Sequence, residues 1–91
     1  MSILVKYFGE VRDFIGRKQD ELEIDSINLI DMIKKIRGRL GPLSELMLEG
    51  DTIKDVFIIL VNGKAVKIKD SKNIIIRDGD VVSILPPVGG G

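Results

Sequence analysis

The strand-forming run Val81-Val82-Ser83-Ile84-Leu85 passes without a linker into Pro86-Pro87-Val88-Gly89-Gly90-Gly91. This junction constrains the chain more than any other stretch. Two consecutive prolines lack backbone N–H groups and fix φ, so sheet pairing ends there and the next residues leave in a stiff, extended direction. Glycine has no Cβ, so residues 89–91 reach conformations closed to other residues and can thread a slot too narrow for side chains. The folded body is therefore expected to end in its own last strand, with 86–91 as an extended, flexible tail. Such a tail would present the Gly91 carboxylate to another protein's active site, with Pro86, Pro87, Val88, Gly89 and Gly90 as the part that a partner grips. Chain ends commonly fray. The order of prolines, valine and glycines directly after a strand favours presentation.

Ninety-one residues, 44% of them hydrophobic, suffice for one domain with one modest core, expected to span 1–91. Fourteen basic residues balance fourteen acidic ones with no long block of either sign, which argues against direct nucleic-acid binding. The chain has no cysteine and no histidine. It thus lacks a thiol nucleophile, the commonest general base and the commonest transition-metal ligand, and self-contained nucleophilic or metal catalysis is not expected. No metal site and no bound cofactor are expected. No apolar run reaches the roughly 18–20 residues that cross a bilayer. The opening Met1-Ser2-Ile3-Leu4-Val5-Lys6 lacks a basic leader and does not read as a signal peptide. The expectation is a soluble cytoplasmic protein without a membrane partner.

Hydrophobic periodicity then orders the elements. Ile3 to Phe8 predicts a strand with Ile3, Val5 and Tyr7 on one face. Gly9 to Lys18 reads as a connection, and Gln19 to Ile24 as a returning strand. After Asp25-Ser26, a candidate helix cap, the residues Leu29, Ile33, Ile36 and Leu40 recur at helical spacing, with Ile30 widening the stripe. Lys34, Lys35, Arg37 and Arg39 suit the negative end of that helix dipole, and Gly41-Pro42 stops the helix. Leu43 to Lys54 has no clean period. A short helical turn through Leu43, Leu46 and Leu48 is expected there, with Glu49-Gly50-Asp51 as an exposed loop.

Phe57 to Val61 is a continuous apolar run, as in a strand covered on both faces. Asn62-Gly63 is a strong hairpin turn. Lys64 to Lys69 predicts a polar edge strand, Asp78-Gly79-Asp80 a turn and Val81 to Leu85 the last strand. The Asp-Gly-Asp run lacks the further ligands of a calcium loop. The order is β-β-α-β-β-β, an α+β chain with one main helix across a mixed sheet of four to five strands.

The last strand's alternation assigns Val82 and Ile84 to the helix side. Leu85, together with Leu60 and Ile58 of the third strand, then lies on the opposite face beside the tail. An apolar sheet face of this kind suggests partner docking. For Ile58 the alternative is packing beneath the 43–54 segment. A one-residue error would reverse every assignment.

Three stretches carry a family resemblance. Tyr7-Phe8-Gly9-Glu10-Val11-Arg12-Asp13-Phe14-Ile15-Gly16 resembles the FFxxxRExxG opening of the molybdopterin synthase small subunit, the MoaD/ThiS family of ubiquitin-like sulfur carriers, which includes small archaeal-type modifiers. Val61-Asn62-Gly63-Lys64 resembles the family's VNG hairpin, and 78–91 is similar to its DGDEVAxxPPVxGG ending. The 43–54 segment is longer than in compact members. Leu85 stands where the molybdopterin subunit often has an aromatic.

The resemblance implies a β-grasp, ubiquitin-like fold. It also implies an E1-like adenylating enzyme that uses ATP to activate the Gly91 carboxylate, which sulfur then converts to a thiocarboxylate. The acceptor implied first is the molybdopterin synthase large subunit, within molybdenum cofactor biosynthesis. The alternatives are other sulfur acceptors such as tRNA or thiamin, or joining to target-protein lysines as a ubiquitin-like tag. A non-catalytic β-grasp interaction domain is the third reading. On all of them the chain is not an enzyme alone.

Overall fold

Apolar residues at alternate positions bury one face of the first strand, β1 (Ile3–Tyr7): Ile3 and Val5 are fully buried and Tyr7 nearly so. The computed structural model describes residues 1–87. In chain order, β1 is followed by α1 (Gly9–Ile15), β2 (Gln19–Leu22), β3 (Ser26–Asn28), α2 (Leu29–Lys35) and α3 (Leu43–Met47). Then come β4 (Ile58–Val61), β5 (Lys64–Ala65), a 3-10 turn at Ile68–Asn73, β6 (Ile75–Arg77) and β7 (Val81–Leu85).

The main sheet has the strand order β2-β1-β7-β4-β5. β1 and β7 run parallel at its centre, with Val5 beside Val82 and Tyr7 beside Ile84, while every other pairing is antiparallel. This is the β-grasp arrangement: the last strand, β7, lies between the β1–β2 hairpin and the β4–β5 hairpin and joins them into one sheet. Val5, Tyr7, Ile59, Val82 and Ile84 face Leu29, Met32 and Ile33 of α2 in one core that also takes in Leu43 and Met47 of α3. Fully burying each such aliphatic side chain stabilises the fold by roughly 1.5–3 kcal/mol.

Several boundaries differ from the sequence expectation for identifiable reasons. The connection 9–18 contains a helix, α1, whose Val11 and Ile15, at helical i, i+4 spacing, are buried. The cap of α2 is Asn28, whose side-chain oxygen accepts from the Ile30 N–H at 2.8 Å. Asp25 and Ser26 are instead engaged by the second, two-stranded sheet, in which Ser26 pairs with Arg77 and the Asp25 carbonyl accepts from the Asp78 N–H. α2 ends at Lys35, and Leu40 is not on its stripe but 62% exposed in a tight hairpin. That hairpin does a different job. The Arg39 and Leu40 N–H groups donate to the Ile15 and Phe14 carbonyls, which would otherwise be orphaned at the end of α1.

The 43–54 segment does form a short helix, but its deepest residues are Leu43 and Met47, with Leu46 and Leu48 half-buried. β4 is covered on one face only: Ile59 is buried while Ile58 is 36% exposed. The polar edge strand β5 is two residues long, and the chain then turns into the 3-10 segment.

Candidate functional site

The base of the tail is held by the strand in the middle of the sheet. β7 is flanked on both sides, by β1 and by β4, so the chain reaches Pro86 from a central strand paired along both edges. Pro86 is half-buried and Pro87 exposed. The expected carrier and grip residues Val88, Gly89, Gly90 and Gly91 lie outside the described residues.

The start of β7 is fixed by a lock between the two turns that the sequence showed separately. Asn62 and Gly63 have φ of 52° and 84°, as a tight hairpin turn requires. The Asn62 side-chain amide donates to Asp80 Oδ1 at 2.9 Å, and its oxygen accepts from the Val81 N–H at 2.9 Å. Asp80 Oδ2 accepts from the Arg77 N–H at 2.8 Å. The hydrogen bond from Asn62, and next that from Arg77, hold the Asp80 carboxyl below the usual carboxylate range.

The end of β7 meets the β1–α1 corner. The Phe8 N–H donates to the Ile84 carbonyl at 3.1 Å, and Gly9, with φ 53°, lies directly under the Pro86 ring. Sequence reasoning missed Gly9 and the 42% exposed Phe8 as neighbours of the tail. The signal available was that the Phe-Gly and Pro-Pro pairs follow strands that run parallel in this fold.

The register of β7 on β4 places Leu85 directly opposite Ile58, and Ser83 opposite Leu60. These residues share the face turned away from α2, where side chains are half-buried or exposed, whereas Val82, Ile84 and Ile59 on the other face are 0–1% exposed. Leu43 and Met47 of the 43–54 segment are buried in the core with α2, while Ile58 is 36% exposed. Leu85, Leu60 and Ile58 thus form one open patch that reaches the tail base.

A polar cluster joins β1 to β2 at the same strand end as the tail base, where Tyr7 lies beside Ile84. The Tyr7 hydroxyl donates to Asp20 Oδ2 at 2.7 Å, and Arg17 grips both oxygens of Asp20 at 2.7 Å each. Burial and the bond to Asp20 push the Tyr7 hydroxyl far above its ordinary pKa. A groove of about 580 Å³ between Thr52–Asp55 and Val66–Lys69 contains none of the residues to which the sequence pointed. Among the described residues, no group of three or more acidic, His or Cys side chains is placed to hold a metal. No described helix is long and apolar enough to cross a membrane.

Comparison with known proteins agrees with this geometry. The ThiS family model matches residues 5–91. The chain is 27% identical over 92 residues to small archaeal modifier protein 3 of Haloferax volcanii, with all of both chains covered. It is also 27% identical over 92 residues to the molybdopterin synthase sulfur carrier subunit of Chlamydomonas reinhardtii, again across both whole chains. A solution structure of a Haloferax volcanii protein superposes with a TM-score of 0.80 at 27% identity, covering 100% of this chain and 87% of that one. The ubiquitin-like β-grasp fold expected from the sequence is the fold found.

Proposed function

Because the chain belongs to the ThiS family of ubiquitin-like sulfur carriers, we propose that it carries sulfur as a thiocarboxylate on Gly91 and delivers it in molybdopterin synthesis. The observation that carries this reading is the central strand β7, paired on both edges, running straight into Pro86-Pro87. A carboxylate is a poor electrophile, since expelling oxide is prohibitive. On this reading an E1-like enzyme supplies ATP, and a Gly91 carboxylate oxygen attacks its α-phosphorus as pyrophosphate leaves. The terminal sulfur of a persulfide then attacks the acyl carbon and AMP departs. A thiol cleaves the resulting acyl disulfide, leaving the thiocarboxylate on the chain and a disulfide on the donor. On this reading proton transfer and phosphate binding fall to the partner's active site, and the carrier needs neither His nor Cys, which this chain lacks.

The open patch of Leu85, Leu60 and Ile58 is where the activating enzyme and then the large subunit of a molybdopterin synthase would dock. A second reading, conjugation to target-protein lysines as a ubiquitin-like modifier, is supported by the equal full-length likeness to the archaeal modifier. The two chemistries share the acyl-adenylate. They part at the nucleophile, which is sulfur in one and a lysine amine in the other.

Incubation of the chain with an E1-like enzyme from the same organism, ATP and a persulfide donor should raise its intact mass by one oxygen-to-sulfur exchange. Deleting Gly90-Gly91 should abolish the change while leaving the thermal midpoint where it was. An unchanged mass with a demonstrably active enzyme would overturn the carrier reading. Gly-Gly remnants on lysines of other proteins, dependent on this chain, would establish the second.

A further inference from the structure

We propose that Gly9 is a positioning residue for the tail. It carries no side chain so that the Pro86 ring can seat on the β1–α1 corner, and that seating sets the direction in which 87–91 leave the sheet. The inference rests on the carrier reading above and deepens it.

Two independent demands meet at this residue. Its φ of 53° is left-handed backbone, which L side chains rarely adopt. A Cβ built there would also stand 2.7 Å from Pro86 Cγ and 3.4 Å from Cδ. Carbon atoms in contact prefer about 3.5–4.0 Å, so the first of these distances is a collision. The obstacle is not the free end of a flexible side chain. Cγ and Cδ belong to a ring closed onto the backbone nitrogen, and moving them moves the main chain at Pro86.

The corner itself cannot yield easily. The Phe8 N–H is tied to the Ile84 carbonyl, and the Phe8 carbonyl accepts from the Val11 and Arg12 N–H groups that open α1. On the other side, Leu85, the residue before the ring, is paired with Ile58. A side chain at position 9 would therefore push on Pro86, the first residue past the ladder.

The consequence is leverage. Gly91 is five positions beyond Pro86, a reach of up to ~17 Å when extended. When a partner's slot holds the tail extended, a small rotation at the base displaces the carboxylate by ångströms. Adenylation needs one carboxylate oxygen in line with the α-phosphorus as the bond to pyrophosphate breaks. Misplacement by about 1 Å can lower such a rate a hundredfold.

The test reads only this first step, by ATP–pyrophosphate exchange with the E1-like enzyme and the full chain. Gly9→Ala should lose about tenfold or more in kcat/KM, mainly through kcat, because the docking face is intact. Gly9→Asn, a residue type tolerant of left-handed backbone, keeps the collision and should lose exchange as well. Pro86→Ala removes Cγ and Cδ, so Gly9→Ala should cost little further in a Pro86→Ala background. Amide spectra supply a readout without activity: Gly9→Ala should shift the Leu85 resonance, and much less so when Pro86→Ala is present.

Wild-type exchange in Gly9→Ala would overturn the proposal, as would an equal loss with and without Pro86, since the loss would then come from backbone strain alone. An unshifted Leu85 resonance would overturn the contact whether or not exchange occurs. No exchange by the wild-type chain, with that shift present, would instead sink the carrier reading on which the functional part of the proposal rests.

Discussion

Asn62 and Asp80, 18 residues apart, share a 2.9 Å hydrogen bond that turns two separate reverse turns into one unit at the start of β7. The Asn62 side chain also holds the Val81 N–H, and the Asn62 N–H donates to the Val81 carbonyl at 2.8 Å. Asn62 is the one non-glycine residue with positive φ among the described residues. Asn62→Ala removes both side-chain bonds and places a Cβ residue less tolerant of that backbone, so a loss of about 1–3 kcal/mol is expected. At roughly 4–8 °C per kcal/mol for a domain of this size, the thermal midpoint should fall visibly. Asn62→Gly loses the bonds but keeps the backbone, and it should be the milder of the two. Equal midpoints for the two variants would show that the side-chain bonds alone matter.

The Tyr7–Asp20–Arg17 cluster predicts how stability varies with pH. Burial raises the Asp20 carboxyl, but the bonds from Arg17 and Tyr7 outweigh it and hold it below the usual range. Its contribution is therefore present above the unfolded carboxylate pKa of about 4 and is lost as pH falls through the lower folded value. Tyr7 has the opposite sign. Its raised folded pKa makes a contribution that is full below about pH 10 and lost as pH climbs beyond it. Tyr7→Phe should cost about 1 kcal/mol at neutral pH and flatten the alkaline limb of a stability profile measured by denaturant unfolding. An alkaline limb unchanged by Tyr7→Phe would refute the assignment.

These residues also show what the sequence made legible. The two strands from Ile3 to Tyr7 and from Val81 to Leu85 were legible as strands, and their burial alternates as expected, with Ile3, Val5 and Tyr7 and then Val82 and Ile84 turned to the core. The Asn-Gly turn was equally plain, since few residue pairs accept two positive φ values. α1 was hidden by its length: its seven residues, the first of them a glycine, bury only Val11 and Ile15 fully, with Phe14 half-buried against the core. β3 and β6 are three residues each, too short for a period, and their pairing depends on residues about fifty positions apart. The contact of Gly9 with Pro86 is a product of the parallel β1/β7 pairing, which no local pattern announces.

The open face predicts a separation of stability from binding. Ile58 is 36% exposed and lies opposite Leu85, so Ile58→Lys should leave the stability within about 0.5 kcal/mol of wild type. If the patch docks the activating enzyme, the same change should raise KM in pyrophosphate exchange about tenfold or more, with little change in kcat. Ile59→Ala, one residue along on the buried face, should do the reverse: a loss of 2–5 kcal/mol in stability, typical of such core truncations. An unchanged KM for Ile58→Lys would remove Ile58 from the docking surface.

Gly38 tests the packing that supports the tail-bearing corner from below. It lies against the backbone of Ile15, so close that a Cβ would overlap Ile15 Cα and stand 2.9 Å from its carbonyl oxygen. That carbonyl is the one capped by the Arg39 N–H, so the close approach and the cap depend on one another. Gly38→Ala must lift the 37–42 hairpin off the end of α1, at an expected cost of about 1–3 kcal/mol. Gly50→Ala is the control, since a Cβ there meets open space and only the backbone conformation resists it. That control should cost less than Gly38→Ala, about 1 kcal/mol. Hydrogen exchange gives the sharper reading. Gly38→Ala should speed exchange at the Arg39 and Leu40 amides, which cap α1, and leave those of β7 protected. Equal protection of Arg39 in wild type and variant would mean that the close approach is not what holds α1 in place.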